Sequence, residues 1–535
     1  MNDWVSAIES DKNGRIWIVI PNQGVFRYDQ QAHRLQHYPF RDKSRKPERD
    51  ESTPQSLCIR ANGEVWIGSN RMGLFKYDSE KDSFSQWIVD AYGNTVQGEN
   101  IYTLCEYGDA LVMGVHEGML KKWDLNANRI SVFDTPQIHY KIIRCVKCFD
   151  RRNLLVATQD GLYVVNVRDK SVHHYFEDDL NPYGLSDNNI FTIYKDREGG
   201  IWLGSLFGGV DYLPKRAYTF RKYFPVNIEG SIEGKRIREM CEDSHGNIWI
   251  GTEDKGVNVF YPQKHIFRHI DEAQSAMRTN LALMADRDKV YVGIFKAGME
   301  VYSIDTYKAR FYSGKELNLL DEASVCALFK DSEGGYWLGN SWGVYYAPGE
   351  YLSFKRMSQF GDAYIYDIAE DRNRNIWIAT MGNGVMCYNL DTHNIRTYVA
   401  QPGDSLSLSS NSVSSVTIGR KGEVWFSTDR GGICRYNRET DDFTTFSVKD
   451  GFPDNVCYKI LEDWHHNLWF GTNKGLVCFN PETRAVRVYT ERDGLLSDQF
   501  NYKSALESRD GTFYFGTIKG LIAFNPYKMG VNNHI

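Results

Sequence analysis

Few residues in this 535-residue chain are spaced for chemistry. Gly339-Asn-Ser-Trp-Gly343 satisfies G-x-S-x-G, which in a nucleophile elbow lifts a serine onto a strand-to-helix turn. Here the flanking segments read as strands, so Ser341 belongs to a short strand-to-strand turn and no elbow is expected. Cys145-Val-Lys-Cys148 has the C-x-x-C spacing of redox and metal sites. On a predicted strand, residues that far apart point to opposite faces, which argues against joint metal or disulfide duty. His265 and His269 are predicted to share one face of an outer strand, but no cysteine or carboxylate cluster completes a zinc set around them. No phosphate-cradling G-x-x-x-x-G-K-[ST] occurs. Neither a metal nor a cofactor is expected. The densest gathering is Asp243-Ser-His-Gly-Asn-Ile-Trp249, where an acid, an imidazole and an indole share one tight turn.

That turn is one copy of many. The stretch 241–260 reads as strand, Asp-x-x-Gly turn, strand, short turn and strand, and the same phrase recurs along the whole chain. Aligned on the aromatic slot of Ile-Trp-Ile-Gly, the copies place Trp17, Trp66, Val112, Leu155, Trp202, Trp249, Tyr291, Trp337, Trp377, Trp425, Trp469 and Tyr514 in register, 40 to 49 residues apart. Eight of the thirteen tryptophans occupy that slot, so the aromatic is architectural. A period of about 40–50 residues marks solenoids and propellers. Each unit holds four strand candidates and no helical period: in the sixth, 237–242, 248–252, 257–261 and 267–270; in the tenth, 413–418, 424–428, 433–436 and 443–446. Four short antiparallel strands per repeat describe a propeller blade. The turn aspartate can bond forward to backbone N–H groups and the glycine accepts positive φ, although Arg374 and His466 stand in the glycine position of two units. The slot tryptophans are expected between neighbouring blades, each burying about 200 Å².

Composition agrees. The 33 Tyr, 28 Phe, 13 Trp and 46 Gly favour strands and turns. A net charge of −6 with no basic run argues against nucleic-acid binding. No 18-residue apolar run spans a membrane. Met1-Asn-Asp-Trp4 leads into strand-like sequence without a signal peptide. A cut chain would look the same, so location does not follow. The ten cysteines alternate with apolar neighbours at strand positions, as buried small hydrophobes do.

Twelve blades exceed one ring, since propellers usually have about four to eight. The fold class is therefore all-β, two consecutive β-propellers of four-stranded antiparallel blades, with a joint in 213–234 at Pro214, Pro225, Gly230 and Gly234. The expected domains are an N-terminal propeller of five recognisable blades at 1–222, a seven-bladed propeller at 223–530, and the start of a linker to a further domain at 531–535. The chain opens on a first strand (5–9) and closes after a third (521–525), leaving the last blade without an outer strand of its own. From this, N-terminal sequence of one or two blades is expected to be missing, and the first propeller incomplete.

The wording Glu-Asp-x-x-Gly-x-Ile-Trp-Ile-Gly-Thr followed by Gly-Leu/Val-x-x-Tyr/Phe resembles the two-component regulator propeller repeat. Leu185-Ser-Asp-Asn-Asn-Ile190 through Phe207-Gly-Gly-Val-Asp-Tyr212 is similar to the close of the first propeller in such sensors, and Gly494-Leu-Leu-Ser-Asp-Gln-Phe-Asn-Tyr502 through Pro526 to their final repeat. The family builds the periplasmic sensor region of hybrid two-component histidine kinases that sense polysaccharide fragments. It commonly carries two seven-bladed rings, then a β-sandwich, a membrane span, kinase and receiver domains and a DNA-binding module. The resemblance implies a ligand-receiving half without output chemistry, periplasmic, meeting the membrane only through downstream segments, and able to act as a homodimer. Asp243–Trp249 is also reminiscent of the turns of sialidase and lyase propellers, so a propeller glycosidase or polysaccharide lyase is one alternative and a protein-docking propeller another.

Topology says where a ligand would sit. If the Asp-x-x-Gly turns occupy one face, the loops before each first strand and after each second strand share the other, near the axis. That mouth is expected to carry Lys235, Arg236, Lys255, Lys296, Trp342, Arg430, Asn455 and Lys474, with Phe207 on the corresponding loop of the first propeller. Several cations with one aromatic suit an oligosaccharide, acidic or sulfated, through charge-assisted bonds and stacking. The competing reading is that lysines and arginines at loop tips are merely solvated.

Overall fold

The computed structural model describes the chain apart from residues 1–3, 41–52, 134, 179–180, 182–183, 214–219, 271–278, 321–323, 350–351 and 530–535. The described residues form twelve antiparallel sheets with only short 3-10 turns between strands. In the sixth unit the strands are Ile237–Glu242, Ile248–Thr252, Val257–Tyr261 and Ile266–His269. They pair in chain order, which makes the unit a blade. His265 falls just outside the outer strand, in a turn with φ of 54°, so it and His269 do not share a strand face as expected. Its ring nitrogens lie 3.0 Å from the Tyr223 hydroxyl and 3.1 Å from Arg221.

The repeated turn does more than bend the chain. Asp243 accepts the His245 and Asn247 N–H groups on one oxygen, and the Trp249 indole N–H on the other at 2.9 Å. The same acid–indole bond joins Asp11 to Trp17, Asp196 to Trp202, Asp331 to Trp337, Asp371 to Trp377 and Asp463 to Trp469, at 2.8 to 3.0 Å. Each aspartate thus fixes the turn and aims the slot ring. The turn holds its fourth residue left-handed whatever stands there: Gly246 has φ of 82°, and Arg374 and His466 have 60° and 61°. A side chain in that conformation costs about 1–2 kcal/mol, which the turn absorbs.

Seven of the eight slot tryptophans are buried, and their rings meet the next blade, Trp249 against Tyr302 at 5.6 Å and Trp469 against Phe524 at 5.2 Å. Two residues after the slot, glycine lets the next blade's first strand close in. A Cβ at Gly339 would lie 2.4 Å from Ile365, and one at Gly471 2.4 Å from Phe500. At Gly516 it would lie 2.5 Å from the Ile237 Cβ, so the twelfth blade packs on the sixth and a ring closes.

The chain divides into two compact units, Met1–Lys215 and Arg216–Ile535. The division falls ahead of the expected 222/223 boundary because strand Arg221–Tyr223 belongs to the second unit, pairing with Leu521–Phe524. It supplies the outer strand that the last blade lacks in its own run. The outer strand that the last blade was expected to lack is thus drawn from the joint. The second unit is a closed seven-bladed ring.

The first unit holds five sheets, the fifth with three described strands. Its fifth blade departs from the slot rule. Trp202 is 41% exposed, and a Cβ at Gly204 would meet only Thr192 of its own blade. Among the described residues, nothing of another blade stands over that flank. On the opposite side the inner strands converge normally, with Lys147 3.7 Å from Glu9. All ten cysteines are free, Cys145 and Cys148 included. Burial pushes the Cys58 thiol up to about 12.

Across the axis of the second ring runs a buried pin. Lys503 of the last blade, 1% exposed, donates to Glu239 of the sixth blade and to the Cys326 carbonyl of the eighth, both at 2.8 Å. Glu239 in turn accepts the Leu283 N–H of the seventh blade at 3.0 Å. Two predictions follow from this architecture. Gly516→Ala should destabilise the ring by about 1–3 kcal/mol through overpacking, read as a lower midpoint in urea with unchanged slope. Lys503→Met should cost about 3–5 kcal/mol by leaving Glu239 buried and unpaired, and adding Glu239→Gln should restore part of it in the same assay.

Candidate functional site

Each loop leaving a second strand bonds to a loop that precedes a first strand, which puts both sets on one face of the ring. Gly384 N–H donates to the Asn411 carbonyl, Gly432 N–H to that of Asn455, and Gly475 N–H to that of Asp498, each time from one blade to the next. Lys296 N–H reaches the Ser324 hydroxyl in the same way.

The rim formed by these loops carries the expected cations at exposed positions: Lys235, Arg236, Lys255, Lys296, Arg430 and Lys474. Lys296 and Arg430 hold left-handed backbone, with φ of 54° and 72°. Arg236 stands 4.0 Å from Glu253. Trp342 is 54% exposed, its N–H given to Asn340 and its carbonyl accepting from Arg356. Asn455 is different: its side-chain oxygen accepts the Val448 N–H and its carbonyl the Gly432 N–H. Asn411 and Asp498 hold Ala400 and Glu491 in the same way, so this position fastens loops. In the first unit Phe207 is 87% exposed, its N–H bound to Asp187.

Inside the rim lies a layer that the sequence reading missed. Every first strand of the second ring carries a register shift near its start. A bulge sets an extra residue out of the ladder and re-aims its side chain. The shifts fall at Arg238, Leu281, Cys326, Tyr366, Ser414, the pair Tyr458-Lys459 and the stretch 501–504 containing Tyr502 and Lys503. Arg238 and Tyr366, on blades three apart, nevertheless meet across the axis, with the guanidinium 5.7 Å from the ring centroid. Arg238 also lies 5.0 Å from the Tyr502 ring. Tyr502 packs on Tyr366 at 5.5 Å and Tyr458 at 5.1 Å, and Tyr364 on Tyr366 at 5.5 Å. The Tyr458 hydroxyl donates to Asn473 at 2.7 Å. The signal was available in the sequence: Arg238, Cys326, Tyr366 and Tyr458 each stand five residues before a turn aspartate.

Arg238 is 8% exposed and reaches Glu253 at 3.4 Å. The same Glu253 oxygen accepts the Asn501 amide at 3.1 Å. Burial pushes the Tyr364, Tyr458 and Tyr502 hydroxyls above the ordinary tyrosine range, so they stay neutral hydrogen-bonding groups at pH 7. Burial likewise raises the Cys326 thiol, which keeps it from acting as a thiolate. The inner layer at the mouth is therefore made of tyrosines around one guanidinium, with the Lys503–Glu239 pair buried near the axis. Among the described residues no cluster of His, Cys, Asp and Glu could hold a metal ion, and no helix is long and apolar enough to cross a membrane.

Residues 184–207, 231–254 and 359–382 match the two-component regulator propeller repeat. Each match runs from the loop before a first strand to the end of the second strand or the loop after it, the part of a blade that builds the mouth. The chain is 24% identical over 398 residues to "Histidine kinase P4" of Formosa agariphila, which covers 70% of this chain but only 28% of that protein's length. Its fold is similar to that of the extracellular domain of a hybrid two-component system from B. thetaiotaomicron, with a TM-score of 0.64 and 21% identity over 98% of this chain and 82% of the other. Turn chemistry, the ring of blades and these matches agree: the chain carries two-component regulator propeller repeats at residues 184–207, 231–254 and 359–382.

Proposed function

We propose that this chain is the ligand-receiving, periplasmic region of a hybrid two-component sensor histidine kinase, and that it binds an oligosaccharide at the axial mouth of its second ring. The observation that carries the reading is the mouth itself: an inner layer of Tyr364, Tyr366, Tyr458 and Tyr502 around Arg238, rimmed by exposed cations, with Lys503 buried near the axis. Tyrosines offer an apolar face to sugar rings and a hydroxyl to their polar edges. The similarity to sensor extracellular domains supports the same reading. Occupancy is relayed when the ligand has different affinity for two arrangements of domains or of a dimer, since only differential binding shifts such an equilibrium. Kinase chemistry in this reading lies in other domains of the full protein. The purified chain should give saturable heat with an oligosaccharide in calorimetry and release no product from it. Tyr502→Ala should weaken that binding by about tenfold. Product release from a polysaccharide panel would point instead to a glycosidase or lyase, and binding untouched by Tyr502→Ala would move the site elsewhere.

A further inference from the structure

Resting on the sensing reading above, a further step concerns the chemistry that its site selects. Of the three charged residues in the axial bulges, Lys459 is part-exposed and Lys503 is satisfied: it holds Glu239 and a carbonyl, both at 2.8 Å. Arg238 is satisfied only in part. It is 8% exposed and interacts with the Tyr366 hydroxyl, but its Nε is buried without a hydrogen-bond partner, and its carboxylate contact is a long 3.4 Å to an oxygen already bonded to Asn501. Glu253 is also approached by Arg236 at 4.0 Å, so one carboxylate serves two guanidiniums. A guanidinium presents five donors in a planar fork, and leaving buried donors unmet costs stability that a well-placed anion returns. The surroundings fit such an anion. Tyr366 and Tyr502 stand together beside the guanidinium, in contact with each other, and Lys503 and Glu239 are paired with one another.

We propose that the inner layer at the mouth of the second ring selects the carboxylate or sulfate ester of an anionic oligosaccharide, with Arg238 as its ion partner and Tyr366 and Tyr502 against the sugar that bears it. The bound anion takes the donors that Glu253 meets poorly. The rim lysines act at longer range, raising the local concentration of anions and losing that effect in salt. Selection therefore belongs to Arg238 and attraction to the rim.

The test is calorimetry of the unaltered protein with a panel of short neutral, uronate-bearing and sulfated oligosaccharides, repeated for R238Q, R238K and the K255Q/K474Q pair. Binding members should be anionic, and carboxyl reduction or desulfation of a binding member should weaken it by at least about tenfold, which also says which anion is read. R238Q should match that loss and R238K should lose less, while K255Q/K474Q should chiefly flatten the salt dependence. Neutral members binding as tightly as anionic ones, or an R238Q protein with native near-ultraviolet circular dichroism and undiminished affinity, would overturn the assignment and leave oligosaccharide sensing standing. A panel with no binding member overturns both. Should R238Q not fold, the comparison of native and chemically neutralised ligand on the unaltered protein decides alone.

Discussion

At Gly339, Gly471 and Gly516 the first strand of one blade lies so close to the second strand of the blade before it that no methyl group fits between them, whereas Ala379 and Ser427 hold the same position at two other interfaces. Everything else in the second ring depends on that approach. It brings the slot tryptophan within reach of the next blade's aromatic core, where burial stabilises the interface by roughly 25 cal/mol for each Å² of apolar surface removed from water. It also brings the mouth loops of successive blades within hydrogen-bond distance, so that each is held by its neighbour. The acid–indole bond is the local half of the same device. By tying Trp249 to Asp243, the turn sets the ring in the orientation that the neighbouring blade must receive. The fifth blade keeps the bond between Asp196 and Trp202 although Trp202 is not covered, which shows that the turn forms the bond without help from packing.

Close approach has a second consequence, at the axis. Seven inner strands leave little room, and the residue that each bulge sets out of its ladder has to be accommodated there or in the interface beside it. Seven repeats have spent this position differently, on an arginine, a leucine, a cysteine, tyrosines, a serine and a lysine. Lys503 reaches from the twelfth blade to the eighth and ties the ring across its diameter. Arg238 reaches from the sixth to the ninth and joins the tyrosines above it. A scaffold built from one repeated phrase thus places a set of non-repeating side chains from several blades together at its centre.

Much of this was legible in the residues. The blade count, the strand spans of the sixth and tenth units, the structural role of the slot aromatic and the face that the mouth loops share all follow from a period and a turn. Other readings failed for definite reasons. His265 looked like a strand residue because alternation was counted through a position that the turn holds left-handed. The last blade looked incomplete because a strand drawn from the joint, Arg221–Tyr223, is short and has no repeat wording to mark it. For Asn455, expected at the mouth, the structure adds bonds to Val448 and Gly432 that fasten the loop, which no pattern in the sequence marks.

What the sequence determined by itself is what local chemistry repeats. An aspartate, a turn and an indole six residues apart form the same bonds in the sixth, eighth, ninth and eleventh blades, and in most of them glycine two positions after the slot marks the interface. Tertiary structure alone decided which residues meet across the axis. Arg238 and Tyr366 are far apart in the chain and lie on blades that do not adjoin, so no pattern within a repeat relates them. Their contact depends on the closure of seven blades, on the sum of the angles between them, and on the bulge that turns each side chain inward. Those are properties of the whole ring.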